Sequence, residues 1–330
     1  MAYITLNKKH FFHNLDIIAN QTKSKDKIAL VLKDNAYGHG LVEIASMAQE
    51  YGITKAVVRC NVEAKMIEQY FDYILILAET TSEVSEKFYY AINDIASIQN
   101  FAKGTKVHLK IDTGMHRNGI VPHELEDAIA LIQEAQLKLE ALFTHHCCAD
   151  DTNGLYELQQ HTFQQIVQKY PKLAYHSANS AALFRSGLAE GEVFARVGIA
   201  AYGCLQMYDG FEPLELQPVL SLYAQKISSR KIDTKESVGY NATFSATQPT
   251  YITTYDVGYG DGFLRSCSSK YITPDGVAIA GRISMDNSSF CTQKDELLLF
   301  DNANYCATYA GTIGYEVLTS LKHYIQRKII

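Results

Sequence analysis

From residue 28 to residue 202 the chain repeats one pattern: a short apolar run, then a polar segment. The apolar runs fall at 28–32, 55–60, 73–78, 88–92, 107–111, 139–144, 173–176 and 194–202. Segments with helical spacing precede or separate them, such as 12–22, 124–135 and 154–169. An apolar run without polar alternation reads as a strand buried on both faces. Strands that alternate with helices pair in parallel, so eight such units predict an α/β fold, an N-terminal TIM-type (β/α)8 barrel. This one is compact against the roughly 250 residues such barrels usually take. The fourth run is ambiguous, since residues 89–92 fit a helix equally well.

Beyond about Met207 the rhythm changes. Short runs at 219–222, 224–227, 250–255, 276–280 and 297–300 are separated by Gly, Asp, Asn and Ser, with no helix-length pattern until the last residues. They predict a C-terminal all-β domain. Residues 2–6 alternate like a strand and can belong to it. The expected division is a barrel over 7–206 and a β domain over 207–330 plus 1–6, and 330 residues suffice for two cores. A net charge of −6 argues against a nucleic-acid partner, which needs a concentrated basic face. No stretch approaches the ~18 apolar residues of a membrane span. The first ten residues lack the apolar core of a secretory signal, so the expected location is cytoplasmic. Seven cysteines in irregular spacing make neither a disulfide framework nor a CxxC metal pair. Cys147 and Cys148 are neighbours, and neighbours on a strand point to opposite faces, which argues against a shared metal.

In such a barrel the active site lies at the C-terminal ends of the strands. Lys33 ends the first run and is followed by Asp34-Asn35-Ala36-Tyr37-Gly38-His39-Gly40. Desolvation of an ammonium at the end of a buried strand supplies the free amine that an aldehyde cofactor needs. A solvated lysine capping the strand is the plainer reading. Residues 33–40 closely resemble the cofactor-lysine segment of the alanine racemases, the pyridoxal-phosphate enzymes built on a barrel. The resemblance implies that Lys33 carries the cofactor and that Tyr37 helps hold its phosphate.

The loops after the seventh and eighth strands of a barrel commonly bind phosphate, and Ser180, Gly198 and Ile199 occupy that place. Serine and glycine alone are more often turn formers, but these stand in blocks similar to the family's Ala-Asn-Ser and Arg-x-Gly-Ile, which also include Asn179. Arg196, inside an apolar run, is costly unless paired. Its alternatives are an ion pair in the barrel wall or, by resemblance, a contact with the pyridine nitrogen of the cofactor. An arginine lends that nitrogen no full proton, which weakens the ring as an electron sink and disfavours transamination. His145 is a core histidine on its own; the resemblance makes it the partner that orients Arg196 and the second base.

The segment Lys110-Ile111-Asp112-Thr113-Gly114-Met115-His116-Arg117 looks like the family's Lys-x-Asp-Thr-Gly-Met-x-Arg motif. Arg117 then meets the substrate carboxylate, a task suited to a bidentate donor. Lys110 corresponds to a lysine that several members carry as a carbamate, and a surface lysine is its plainer reading. Racemisation needs a proton donor or acceptor on both faces of a planar intermediate. Ser237-Val238-Gly239-Tyr240-Asn241-Ala242-Thr243 resembles the family's Val-x-Tyr-Gly-Ala-Thr block, which makes Tyr240 the second base, supplied by the other subunit of a homodimer. An arbitrary one of the 22 tyrosines is more often packing.

By the same carry-over Tyr315 touches the phosphate, Met285 contacts substrate across the dimer, and Asp150, Tyr259, Arg282 and Ile313 line the corridor to the site. Glycine-rich β turns are the plainer reading of the last blocks. Four positions depart from the family: Asn241 for glycine, Val197 for proline, His146 for an aromatic, and Gly314 for asparagine. The resemblance implies an isomerase interconverting L- and D-alanine for peptidoglycan. Alternatives are a broader small amino-acid racemase (serine, for example), a decarboxylase on the same scaffold, and a cofactor-binding regulatory protein. No cysteine-centred acidic block of the decarboxylase kind surrounds Cys291 or Cys306.

Overall fold

The computed structural model describes residues 1–208 and 210–330. The first strand, β1 (Tyr3–Leu6), lies outside the barrel. The barrel strands are β2 (Ile28–Val31), β3 (Lys55–Val58), β4 (Tyr73–Ile76), β5 (Phe88–Ile92), β6 (Lys106–Lys110), β7 (Lys138–Phe143), β8 (Ala174–His176) and β9 (Ala195–Val197). They pair in parallel and in chain order, and β9 returns to β2. The gap between β8 and β9 is bridged at Tyr175↔Glu192 and Asn179↔Arg196. The ambiguous fourth run is a strand, paired with β4 and β6.

The outer helices follow their apolar spacing. In Leu125–Glu134 the buried positions are Leu125, Ala128 and Ile132, one stripe at intervals of three and four. The helix Lys8–Thr22 begins where Asn7 accepts the His10 amide, a side-chain N-cap. Between β4 and β5 the structure has no helix, which is one source of the barrel's small size.

The eighth apolar run is a strand for only three residues. From Gly198 the backbone turns away because the Gly198 amide donates to Ser180 Oγ at 3.1 Å and the Ala201 amide donates to the Gly198 carbonyl at 2.9 Å. What read as a long buried strand is therefore a short strand and a loop.

The second domain is mostly sheet. Leu220–Ile232 is one 13-residue strand where the sequence suggested two; register shifts at Leu222/Tyr223 and Lys226/Ser228 show that the broken alternation reflects β-bulges. It pairs with Thr250–Tyr255, Glu296–Phe300 and β1, and β1 pairs in parallel with Gln326–Ile329, a strand the pattern did not announce. The domain is not all-β. Ala303–Ala310 is helical between an Asn302 cap and Gly311 at φ +72°, and Gly314–Ser320 follows it. Residues 276–280 make only isolated bridges, Ile272↔Ala278 and Ile279↔Phe290.

The two domains meet at the first barrel loop. Asp34, Asn35, Ala36 and Tyr37 all have φ between +52° and +57°, a left-handed turn in which each L-residue is disfavoured by about 1–2 kcal/mol. The Asn35 side chain accepts the Leu41 amide, and the Gly38 carbonyl accepts Arg327 from the last strand at 2.7 and 3.2 Å. Gly38 itself has φ +76°, and a Cβ there would lie 2.0 Å from the Leu318 carbonyl oxygen. Gly52, at φ +100°, has nothing within 4 Å of such a Cβ. Gly38→Ala is expected to cost about 3 kcal/mol, through clash and strain together. Gly52→Ala carries only the conformational term of about 1 kcal/mol. Urea unfolding of the two variants measures the difference.

Candidate active site

The C-terminal ends of the strands open into a chamber of ≈ 880 Å³. Lys33 enters it from the end of β2, Lys110 and Arg117 from β6 and its loop, His145 and Asp150 from beyond β7. Asn179 and Ser180 come from β8, Arg196, Gly198 and Ile199 from β9, and Tyr37 and Tyr315 close one side. The left-handed turn after Lys33 sends Tyr37 across the barrel mouth, its ring 5.9 Å from that of Tyr315. A Cβ on Gly198 would lie 2.7 Å from the Tyr37 hydroxyl, so a larger residue there would push the phenol out of its place. Burial raises the Tyr37 hydroxyl above its ordinary range and Tyr315 to about 12, so both stay protonated donors. These hydroxyls, Ser180 and the loop of Gly198 and Ile199 make one donor-lined wall suited to an anion.

Arg196 forms the floor. It is buried, and burial lowers it to about 10, so it keeps its charge at neutral pH. Its Nη2 donates to the carbonyls of Thr144 (2.7 Å) and Ser177 (3.0 Å), its Nη1 to His176 Nδ1 (2.5 Å) and the His176 carbonyl (3.3 Å). Among the described residues it makes no ion pair. The nearby carboxylate, Glu192, instead accepts the Ser177, Ala178 and Ala189 amides and the Ser177 hydroxyl. The residue that orients Arg196 is His176, not His145: the guanidinium edge turns toward the end of β8, and no hydrogen bond joins it to the His145 ring.

His176 begins a chain that residue pattern alone had not singled out. His176 Nε2 lies 2.8 Å from His108 Nδ1, and His108 Nε2 lies 2.9 Å from the Tyr73 hydroxyl. A guanidinium only donates, so Nδ1 of His176 must accept, and each successive step is forced: Arg196 to His176 to His108 to Tyr73. Burial and the Arg196 charge hold His176 well below the usual histidine range and His108 at about 3, so both are neutral. The available signal was position, since His108 and Lys110 are two apart on β6 and share a face.

Lys110 is buried and donates to Asn118; burial, then the charges of Arg117 and Arg196, lower it to about 8. Asp112 accepts the amides of Gly114 and His116 at 3.0 Å, which shapes the loop that carries Arg117. Asn179 engages both ends of its amide, to the Ala182 amide and the His146 carbonyl, and so braces the wall. His145 is held well below the ordinary histidine range by burial and then Arg196.

Five of the expected site residues stand away from the chamber, all on the second domain. Tyr240 is 67% exposed, Ile313 60% and Met285 58%; Tyr259 is exposed and Arg282 half-buried. Asn241 has φ +61°, which explains how it replaces a glycine. At Gly314 a Cβ would meet Asn304 Oδ1 at 2.2 Å, so a larger residue there would have to displace the Asn304 side chain. Cys147 and Cys148 also differ from expectation. They lie beyond the end of β7, not on a strand, and their sulfurs are 3.4 Å apart.

Residues 6–206 match the family described as alanine racemase, N-terminal domain, and residues 219–329 the alanine racemase C-terminal domain. The chain belongs to the alanine racemase family. It is 44% identical over 336 residues to alanine racemase of a Nitratiruptor species, covering 99% of each chain. The crystal structure of Bacillus anthracis alanine racemase with bound L-Ala-P superposes with a TM-score of 0.89 at 26% identity, covering 100% of this chain and 95% of that one. The histidine racemase of Leuconostoc mesenteroides superposes with a TM-score of 0.88 at 25% identity, covering 100% and 98%. The activity is that of an amino-acid racemase, an isomerase, and the family's cofactor is pyridoxal phosphate. The chamber fits that group: a donor-lined wall for the phosphate, an arginine with no acid bonded to it for the ring nitrogen, and Lys33 for the aldehyde.

Five buried or half-buried histidines of the barrel, His39, His108, His145, His146 and His176, are all held below their ordinary range by burial. The unfolded chain binds protons near pH 6.5 that the folded chain refuses, so stability is full above that pH and is lost as pH falls toward about 3. Urea midpoints measured from pH 7 to 4 are expected to fall. His108→Asn should flatten the fall, and ¹⁵N NMR should find His176 with its proton on Nε2 throughout.

Proposed function

We propose that the chain is an alanine racemase in which Lys33 and Tyr240 act on opposite faces of the substrate, each chamber being completed by Tyr240 of the partner subunit of a homodimer. The observation that carries this reading is the gathering of Lys33, Arg196 and an anion-binding wall in one chamber, while Tyr240 stands exposed on the other domain. Bound pyridoxal phosphate supplies the electron sink that makes the α-proton of an amino acid acidic. Arg117 takes the substrate carboxylate, and the Lys33 amine accepts the proton on one face and returns it. The Tyr240 hydroxyl does the same on the other face, so a proton removed by one group and replaced by the other inverts the centre. Arg196 stays charged and would hold the ring nitrogen of the bound cofactor without giving it a proton, which would make the ring a weaker electron sink and disfavour side reactions. Asp150, Tyr259, Arg282, Ile313 and Met285 then shape the corridor from both subunits. The barrel unit is taken as 7–206 and the β unit as 207–330 with 1–6. Its place of action is taken as the cytoplasm, where D-alanine for the cell wall is made; among the described residues no helix is long and apolar enough to cross a membrane.

Lys110 is proposed to carry a carbamate that holds Arg117. Its depressed pKa supports this, because the neutral amine is the form that adds carbon dioxide and releases a proton. The modification is expected to grow as pH rises through about 8. A ¹³C-bicarbonate NMR signal that Lys110→Ala abolishes is the expected result; a signal that persists in the variant removes the assignment. A second reading, broader substrate use, is kept because the histidine racemase shares this fold as closely as the alanine enzymes do.

The function is tested by α-proton exchange of alanine in deuterated water. Wild type exchanges and inverts both enantiomers, whereas Tyr240→Phe should invert at least 100-fold more slowly yet still exchange one enantiomer through Lys33. Mixing Lys33→Ala with Tyr240→Phe chains decides the subunit question. If Tyr240 crosses, random reassortment restores about a quarter of the sites. If it acts within its own chain, none recover.

A further inference from the structure

The neighbouring thiols at the chamber wall have a geometry of their own. Cys147 lines the chamber and Cys148 follows it, both half-buried. The Cys147 amide and thiol both donate to Gln159 Oε1, at 2.9 and 3.3 Å, which leaves the Cys147 sulfur free to accept the Cys148 thiol at 3.4 Å. Gln159 is buried and anchored through its amide nitrogen to Thr113 Oγ1 and the His145 carbonyl. Arg185 holds the next turn by donating to the carbonyls of Cys148, Ala149 and Asp151. The two sulfurs are thus fixed side by side by bonds from two directions.

What such a pair can bind follows from its spacing. A disulfide needs the sulfurs about 2.05 Å apart and ordinarily joins α-carbons about 4.4–6.8 Å apart, whereas neighbours across a trans peptide are about 3.8 Å apart. Closure would strain the backbone. A single atom bonded to both sulfurs asks for less movement: two thiolates about 2.3 Å from a tetrahedral ion lie about 3.8 Å apart. Yet no group of three or more metal-type side chains gathers anywhere among the described residues, so a four-coordinate ion would find only half its ligands. The centre that fits is thiophilic, takes two sulfurs, and brings its own third substituent.

We propose that Cys147 and Cys148 form a vicinal dithiol site for trivalent organoarsenicals, and that its occupation closes the chamber. The step is a condensation: two S–H bonds and two As–OH bonds break, two As–S bonds form, two waters leave, and arsenic stays trivalent. The organic substituent then projects from the chamber wall beside His145 and Asp150, and the Arg185 clamp prevents the loop from carrying it away. Adduct formation is independent of the activity assigned above; the loss of turnover rests on it.

Holoenzyme is treated with phenylarsonous acid, then with excess glutathione, and read by intact mass and by alanine α-proton exchange. The expected result is one adduct per chain that survives glutathione, is released by dithiothreitol, and lowers exchange at least tenfold until released. Cys148→Ser is expected to keep the untreated rate and to hold no glutathione-resistant adduct. Cys267→Ala, which removes a fully buried thiol elsewhere, should retain it. An adduct stripped by glutathione, or one that persists in Cys148→Ser, overturns the site. An adduct that leaves exchange unchanged overturns the blockade. Absence of exchange before treatment would sink the racemase reading alone, with the mass measurement still deciding the dithiol.

Discussion

A buried guanidinium without an acid governs the arrangement around it. Removing a charge from water costs several kcal/mol unless fixed dipoles replace the lost solvent. Arg196 obtains them from three carbonyls at the ends of β7 and β8 and from the neutral nitrogen of His176. The strand ends must therefore stop where those carbonyls converge. The one nearby carboxylate is kept occupied by amides and a hydroxyl, so the positive charge is not cancelled locally. That arrangement rules out the ion-pair reading of Arg196. A partner of the guanidinium must be a hydrogen-bond acceptor, and a weakly basic one stays unprotonated, because a group near pKa 10 gives up no proton at neutral pH.

The second constraint lies at the junction of the domains. Four consecutive residues without a glycine among them hold positive φ after Lys33, at a cost that sums to several kcal/mol. The strain is retained because Arg327 of the last strand grips the Gly38 carbonyl and the Leu318 backbone packs against Gly38. Tyr37 reaches the anion wall only through that turn, and Tyr315 joins it from the β domain. Half of the donor wall thus depends on a domain that contributes nothing to the barrel strands.

Much of this was legible in the residues. Eight apolar runs sufficed for the barrel because strands buried on both faces leave no polar interruption. Ser180, Gly198 and Lys33 could be placed at one end because strand ends in such barrels converge. The failures have physical causes. The run at 194–202 remains apolar after its strand ends, since the loop there is as buried as the strand. Leu220–Ile232 looked like two strands because bulges break alternation without breaking pairing. The helix Ala303–Ala310 carries little periodicity and is announced mainly by its Asn302 and Gly311 caps. Arg196 bonds to His176 where the resemblance suggested His145, because both histidines fall at the C-terminal end of an apolar run, and which ring turns toward a guanidinium is decided in three dimensions.

The separation of Tyr240 from its own chamber bears on specificity. A chamber of ≈ 880 Å³ exceeds what a cofactor and alanine together require, so the walls supplied by a single chain set no narrow limit on side-chain size. On the proposed arrangement that limit comes from groups inserted by the partner, Tyr240 and Met285 among them, which are largely exposed in a single chain. Selection by size then becomes a property of the interface, and a change in how the subunits approach would alter substrate breadth without altering Lys33, Arg196 or the anion wall. Enzymes of one fold that act on alanine and on histidine are what such a division of labour allows.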